Sequence, residues 1–156
     1  MFRLIVGVVV GYIVMSILII AVFSLSIVLP DFAFEKDRFD VTIEWIVFTL
    51  VAGFISAIVG GFVAAWIGKR RAAYATAIVA FVLGMGGAVD NLKKERPAES
   101  DSPAGMTTME RGNKAVQPNW YAFTLPILGA TGIVIGGRLR CDRTSREAKV
   151  KLSLTK

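Results

Sequence analysis

Long apolar stretches without internal charges dominate the chain and predict its secondary structure. They cover about residues 4–29, 45–68, 72–90 and 120–138, and charged residues occur only at their boundaries. Each is close to or above the ~20 residues that an α-helix needs to cross the hydrocarbon core of a bilayer. None alternates apolar and polar residues as a transmembrane β-strand does. The pattern predicts an all-α integral membrane protein, a bundle of four transmembrane helices.

The first stretch, residues 4–29, also has to be compared with a secretory signal peptide. Signal peptides have an apolar core of roughly 7–15 residues followed by a cleavage site between small residues. This stretch is longer, and no such site follows it. We therefore expect a retained helix that ends at Pro30, with a cleaved signal peptide as the alternative.

Small residues recur at every fourth position in the second stretch and predict close helix packing. They form two rows: Gly53, Ala57, Gly61 and Ala65, and Ser56, Gly60, Ala64 and Gly68. Residues four apart share a helix face, and small residues on that face let two backbones approach closely inside a membrane. The third stretch has a matching row: Ala72, Thr76, Ala80, Gly84 and Ala88. The two helices should form a tight antiparallel hairpin joined by a short basic turn.

The first and fourth stretches carry one Gly-x-x-x-Gly pair each, Gly7 with Gly11 and Gly132 with Gly136. Together the rows and pairs predict packing of the glycine-zipper type, within one chain or between copies in a homo-oligomer. The predicted packing residues are Gly53, Ala57, Gly60, Gly61, Ala64, Ala65, Ala80, Gly84, Gly132 and Gly136. Pro126 lies inside the fourth stretch, where it should kink the helix because proline lacks a backbone N–H.

Basic residues flank the stretches unevenly and predict the orientation. With four passes, Arg3, the turn at 69–71 and the tail from Arg138 onward lie on one side, whereas the loop at 30–43 is mainly acidic. Short basic loops stay in the cytoplasm. We expect a multi-pass protein of a bacterial inner (plasma) membrane with both termini cytoplasmic. Three bases after the third stretch favour the opposite orientation: Lys93, Lys94 and Arg96.

Composition supports the membrane assignment and removes several chemistries. The chain is 54% hydrophobic and 19% charged, it has no His, and Cys141 is its single cysteine. Without His it lacks the commonest general base and metal ligand, and one Cys builds no disulfide and no cysteine zinc site. We therefore predict no enzymatic activity, no cofactor and no metal. The net charge of +6 sits beside apolar stretches, which indicates topology and argues against nucleic-acid binding.

Ionisable residues are absent from the apolar cores, which removes the usual marker of a transport pathway. Asp90 lies at the outer boundary of the third stretch, where Lys94 could neutralise it one helical turn away. Asp90 and Glu44 together would be a sparse cation site. Boundary charges facing water are the favoured interpretation.

The basic tail is the most plausible contact surface. We divide the chain into a transmembrane domain at 1–140 and a cytoplasmic tail at 141–156. Basic residues near a membrane surface attract anionic lipid headgroups, and the predicted contacts are Arg138, Arg140, Arg143 and Arg146. A pure topology anchor is an equal alternative. The loop at 91–118 reads as a connector, with partner binding as the alternative.

No motif in the sequence specifies a biochemical activity. The leading hypothesis is a non-enzymatic accessory or assembly component that acts through its helix faces and basic tail. Its expected partners are the lipid bilayer, including anionic lipids, and another membrane protein or a second copy of the chain. The alternative is a small oligomeric transporter or channel, whose pore the Gly-rich faces and the fourth helix would line.

Overall fold

Three helices make up the part of the chain that the computed structural model describes, residues 1–29, 41–93 and 118–154. They are α1 (Phe2–Val28), α2 (Ile43–Lys93) and α3 (Asn119–Leu154). The side chains of residues 26, 27 and 143–154 lie outside the description, as do residues 30–40 and 94–117, which make up most of the two predicted loops at 30–43 and 91–118. The fold is all-helical over these ranges, and all three helices are long and apolar enough to cross a membrane.

The predicted count of four helices is not supported, because three helical elements are present and α2 contains both the second and the third predicted spans, with a kink between them at Lys69. Helix α2 continues for 51 residues, and Lys69 is its one residue with a non-helical backbone. No separate turn interrupts the helix at 69–71, since helical geometry resumes at Arg70. The interruption of the apolar pattern by the basic residues was visible in the sequence and predicted a turn. Because the reversal is confined to one residue, it contains no separate loop.

Lys69 reverses the direction of α2, as the contacts with α3 show. A methyl group built on Gly53 would lie 3.9 Å from Leu125 Cδ2, and one built on Gly84 would lie 2.9 Å from Pro126 Cγ. In a straight helix Gly53 and Gly84 would be roughly 46 Å apart. They contact adjacent residues of α3 instead, so residues 43–68 (the first arm) and 70–93 (the second arm) lie side by side and antiparallel.

The start of α1 and the segment of α3 around Gly137 lie at the end of the molecule where α2 reverses. A methyl group on Gly68 would lie 2.8 Å from the carbonyl oxygen of Arg3, near the start of α1. On the α3 side, Gly137 contacts the side chain of Ala73. We call this the basic end, and the opposite one, where α1 finishes and α3 begins, the far end.

Apolar side chains cover the outside of the molecule, while small residues fill much of its interior. The buried core cluster consists of Met15, Ala57, Ala77 and Ile133. Large aliphatic side chains of α1 are half exposed or more, among them Ile5, Ile13 and Ile17. An apolar exterior around a small-residue interior is what a bilayer requires, because lipid tails solvate aliphatic side chains. These features fit a multi-pass membrane protein.

The backbone of Lys69 predicts a stabilising substitution. Its φ of 61° and ψ of −172° fall in a region that is essentially restricted to glycine and strains other residues by ~1–3 kcal/mol. Lys69→Gly should therefore raise the free energy of unfolding by about 1 kcal/mol, measured by thermal or denaturant unfolding in detergent. Arg71→Gly is the matched control, since it removes a neighbouring charge from a helical position and should destabilise by about 1 kcal/mol. Loss of stability in both variants would contradict the strained reversal.

Candidate functional site

One small-residue row of the first arm faces α1. Methyl groups built on Gly11 and Gly60 would meet opposing backbone, Gly11 at 2.8 Å from the carbonyl oxygen of Gly60 and Gly60 at 2.9 Å from that of Gly11. Further along, one on Gly7 would lie 2.9 Å from the carbonyl oxygen of Ala64. The row that contains Gly60, Ala64 and Gly68 therefore serves α1, and the Gly7–Gly11 pair is its partner.

The other row of the first arm faces α3. Gly61 touches the backbone of Ile133, and Gly136 touches the backbone of Ile58. A methyl group on Gly132 would lie 2.9 Å from Ala57 Cβ. The hairpin predicted from the sequence would pack these rows against the matching row of the second arm, whereas in the structure the glycines of one row meet α1 and those of the other meet α3. Gly60 and Gly61 are adjacent in sequence and point to opposite neighbours, because successive residues of a helix are rotated by about 100°.

The remaining predicted packing residues differ in how closely they are packed. Ala64 and Ala65 are buried, and Ala80 is partly buried against the core cluster. Gly84 contacts Pro126, which lies within α3 without ending it. Gly53 is the loosest of the set, since 3.9 Å is an ordinary van der Waals distance. Whether these residues carry the stability of the fold remains a prediction.

Packing becomes looser towards the far end, and a cavity of about 470 Å³ opens there between α1, both arms of α2 and α3. Methyl groups built on Gly87 and Gly129, two of its lining residues, would meet no atom within 4 Å. At its inner end lie Met15 and Ala57 of the core cluster. The volume is within the ~300–1,000 Å³ typical of small-molecule sites, which are mostly apolar with a few polar groups.

Two tyrosines provide polar groups in this cavity, and their hydroxyls differ in hydrogen bonding. Tyr121 is buried, and its hydroxyl lies 2.8 Å from that of Thr49. Thr49 donates its own proton to the carbonyl oxygen of Trp45 or Ile46, so Tyr121 donates to Thr49. Tyr12 lies at the inner end against the core cluster, and within the described residues its hydroxyl has no hydrogen-bond partner.

Charged residues of the cavity occur at its rim. Asp90 lies 3.8 Å from the ammonium group of Lys93, and both side chains are about three-quarters exposed. Such an exposed pair contributes little stability. Lys94, the predicted partner of Asp90, lies outside the described residues. Among the described residues no group of three or more potential metal ligands exists. That Asp90 and Glu44 are boundary charges facing water stays a prediction.

The basic end gathers cationic side chains from all three helices: Arg3 of α1, Lys69, Arg70 and Arg71 of α2, and Arg138 and Arg140 of α3. Arg70 donates two hydrogen bonds to the Tyr74 hydroxyl, at 3.2 and 2.9 Å. Arg138 of α3 interacts with the same hydroxyl. Since a guanidinium has five N–H donors, both arginines keep donors for an anionic group.

Arg140 is held at this end by an aromatic ring. Its guanidinium lies 5.9 Å from the centre of the Phe62 ring of the first arm, within the range of a cation–π contact. Among the predicted headgroup contacts, Arg138 and Arg140 are thus placed at the basic end. The side chains of Arg143 and Arg146 lie outside the described residues, although α3 itself continues as a helix to Leu154.

Sequence reasoning found the basic end but missed the cavity and the Thr49–Tyr121 pair. Helical periodicity gives the face of a residue and not the helix that it meets, so a gap between four helical segments leaves no pattern in the sequence.

No protein-family model matches the chain, and no curated protein or solved structure is detectably similar to it.

The contact between Gly61 and Ile133 predicts a strongly destabilising substitution. A side chain at Gly61 would overlap the backbone of Ile133, which rigid helix backbones cannot relieve by a rotamer change. Gly61→Leu should destabilise the protein by about 3 kcal/mol or more, visible as a lower melting temperature in detergent. Gly86→Leu makes the same exchange where a methyl group meets nothing within 4 Å, and it should leave the melting temperature unchanged or slightly raised. Equal melting temperatures of both variants would refute the packing described here.

Proposed function

We propose that the protein is a non-enzymatic, four-pass membrane protein whose basic end lies in the cytoplasm and binds anionic lipid headgroups. In this proposal it acts as an accessory or assembly component of a bacterial inner (plasma) membrane. The observation that carries it is the convergence of cationic side chains from three helices on one end of the molecule. The absence of enzymatic activity rests on the sequence, which contains no His.

Four passes are supported by the lengths of the two arms of α2. At 1.5 Å per residue, the arms at 43–68 and 70–93 are each about 35 Å long or more. That length suffices for the ~30 Å hydrocarbon core. A straight helix of 51 residues would extend to about 76 Å and carry the charges at 69–71 into the middle of the membrane or beyond it.

The cytoplasmic orientation is supported by the contrast between the two ends. Among the described side chains, the acidic residue beside the six bases of the basic end is Asp142, whereas the far end has Glu44 and Asp90 with Lys93. Positive residues at the ends of membrane helices favour the cytoplasmic side. Anionic headgroups of the cytoplasmic leaflet would then add ~1 kcal/mol per nearby base.

A transporter is the second candidate, favoured by the cavity at the far end. Two features speak against it. The apolar spans contain no ionisable residue that would couple transport to protons. At the inner end of the cavity, Ile133 is fully buried and contacts Gly61, so helix packing occupies the path toward the basic end. Saturable solute flux in proteoliposomes of the purified protein would reverse this ranking.

The basic end predicts selective retention of anionic lipids. Arg138→Gln combined with Arg140→Gln should lower the enrichment of anionic over zwitterionic lipids by about fivefold or more, because ~1 kcal/mol corresponds to about fivefold. The measurement is quantitative lipid analysis of protein extracted in native nanodiscs. Lys93→Gln, a neutralised base at the far end, is the control and should leave the enrichment unchanged. Equal enrichment in the wild type and the double variant would contradict headgroup binding.

The orientation predicts the side from which the single thiol reacts. Cys141 is partly exposed and lies at the basic end. A membrane-impermeant maleimide should therefore label it in inside-out vesicles and leave it unlabelled in intact spheroplasts. A cysteine introduced at Asn91 of the far end, in a Cys141→Ser background, should show the reverse. Labelling of Cys141 in intact spheroplasts would place the basic end outside the cytoplasm.

A further inference from the structure

We propose that the cavity is a binding site for an uncharged apolar molecule that carries a carbonyl group, and that Tyr12 donates a hydrogen bond to that carbonyl. The ligand would come from the bilayer. The proposal depends on residence in the membrane and is independent of headgroup binding at the basic end.

The unpartnered hydroxyl of Tyr12 is the observation that points to a ligand. Tyr12 lies roughly 12 Å along α1 from the start of its apolar stretch, well inside the hydrocarbon core. A polar group without a hydrogen bond in such a medium costs free energy. Ser56 and Thr76 are satisfied by their own helices, Ser56 by the carbonyl of Ala52 and Thr76 by that of Ala72. Tyr12 lacks such a partner among the described residues, and it lines the cavity.

Water is a poor occupant for the inner part of the cavity. A buried water needs two to four polar partners. Around Tyr12 the lining is apolar: Met15, Ile19, Ala57 and Ala80. The second polar pair of the cavity is already satisfied, because Tyr121 donates to Thr49 and Thr49 donates to the backbone. One hydroxyl in an apolar surround fits a ligand with a single acceptor and an apolar body.

The charge of the lining selects an uncharged ligand. Apart from Asp90 at the rim, no residue of the lining carries a charge at neutral pH, so a charged group deeper in the cavity would have no counter-charge. The charge of Asp90 itself is offset by Lys93, 3.8 Å away. The inner residue Ala80 and the rim residue Asp90 are ten positions apart on one helix, about 15 Å. This depth fits a medium-length alkyl chain or a flat apolar body.

The test compares two probes that differ only in the carbonyl, 2-dodecanone and dodecane, with the protein in lipid nanodiscs. Binding is measured as a saturable rise of the melting temperature, since a ligand that binds the folded state stabilises it. Carbon-13 labelling of the ketone gives a second measurement, because a hydrogen bond shifts the carbonyl stretch to lower frequency. We expect both probes to bind the wild type, with the ketone binding more tightly by about fivefold or more.

Three variants make the test specific. Tyr12→Phe should reduce ketone affinity to that of the alkane and abolish the infrared shift, while alkane binding stays unchanged. Gly87→Leu should abolish binding of both probes by filling the cavity, since a methyl group there meets nothing within 4 Å. Gly86→Leu is the matched control, because its neighbouring position does not line the cavity, and it should bind as the wild type does.

Two outcomes would overturn the proposal. Non-saturable effects that are equal in the wild type and Gly87→Leu would mean that the probes merely partition into the lipid. Saturable binding that Gly87→Leu abolishes but Tyr12→Phe leaves unchanged for the ketone would leave an apolar cavity without the carbonyl site. Neither outcome would alter the lipid enrichment at the basic end, so the two proposals fail separately.

Discussion

Backbone-to-backbone contact along the first arm of α2 is the constraint on which the rest of the structure depends. Gly60 meets α1 and Gly61 meets α3, so one short segment holds both neighbouring helices. Inside a bilayer, aliphatic side chains gain little by leaving the lipid, and close packing has to hold the helices together. A side chain at either glycine would push the neighbouring helix outward. The placement of the other elements depends on the distance between the first arm and these two helices.

The same constraint divides the molecule into a tight half and an open half. Near the basic end, glycines of α1, α2 and α3 bring backbones into contact. Towards the far end, Gly87 and Gly129 face open space and Gly53 is only loosely packed. The cavity forms where backbone contact stops, and Tyr12 lies at the transition. The tight half, near the basic end, positions the basic residues of three helices. The open half, near the far end, leaves room for an apolar molecule.

Fixing the ends of the helices also concentrates charge. Arg138 and Arg70 approach one tyrosine from two helices, and Arg140 lies over the Phe62 ring. Under the proposed headgroup binding, each base alone would attract an anionic headgroup weakly, and several bases close together would act jointly. The strained backbone of Lys69 belongs to this arrangement, because reversing α2 at one residue keeps the bases at 69–71 beside the start of α1 and the segment of α3 around Gly137.

The sequence by itself determined that the chain is helical and apolar enough to cross a membrane, although not the number of helices. Uncharged apolar stretches indicated helices in a bilayer, because unpaired backbone groups are too costly there. Rows such as Gly60 with Ala64 identified the faces for close packing, and basic flanks identified the end that carries positive charge. Only the tertiary structure decided that α2 reverses at one residue and that adjacent rows meet different helices. It also decided that Tyr12 lines a cavity without a hydrogen-bond partner among the described residues. The physical reason is that periodicity fixes the direction of a side chain from its own helix axis, whereas contacts and gaps depend on where the other axes lie.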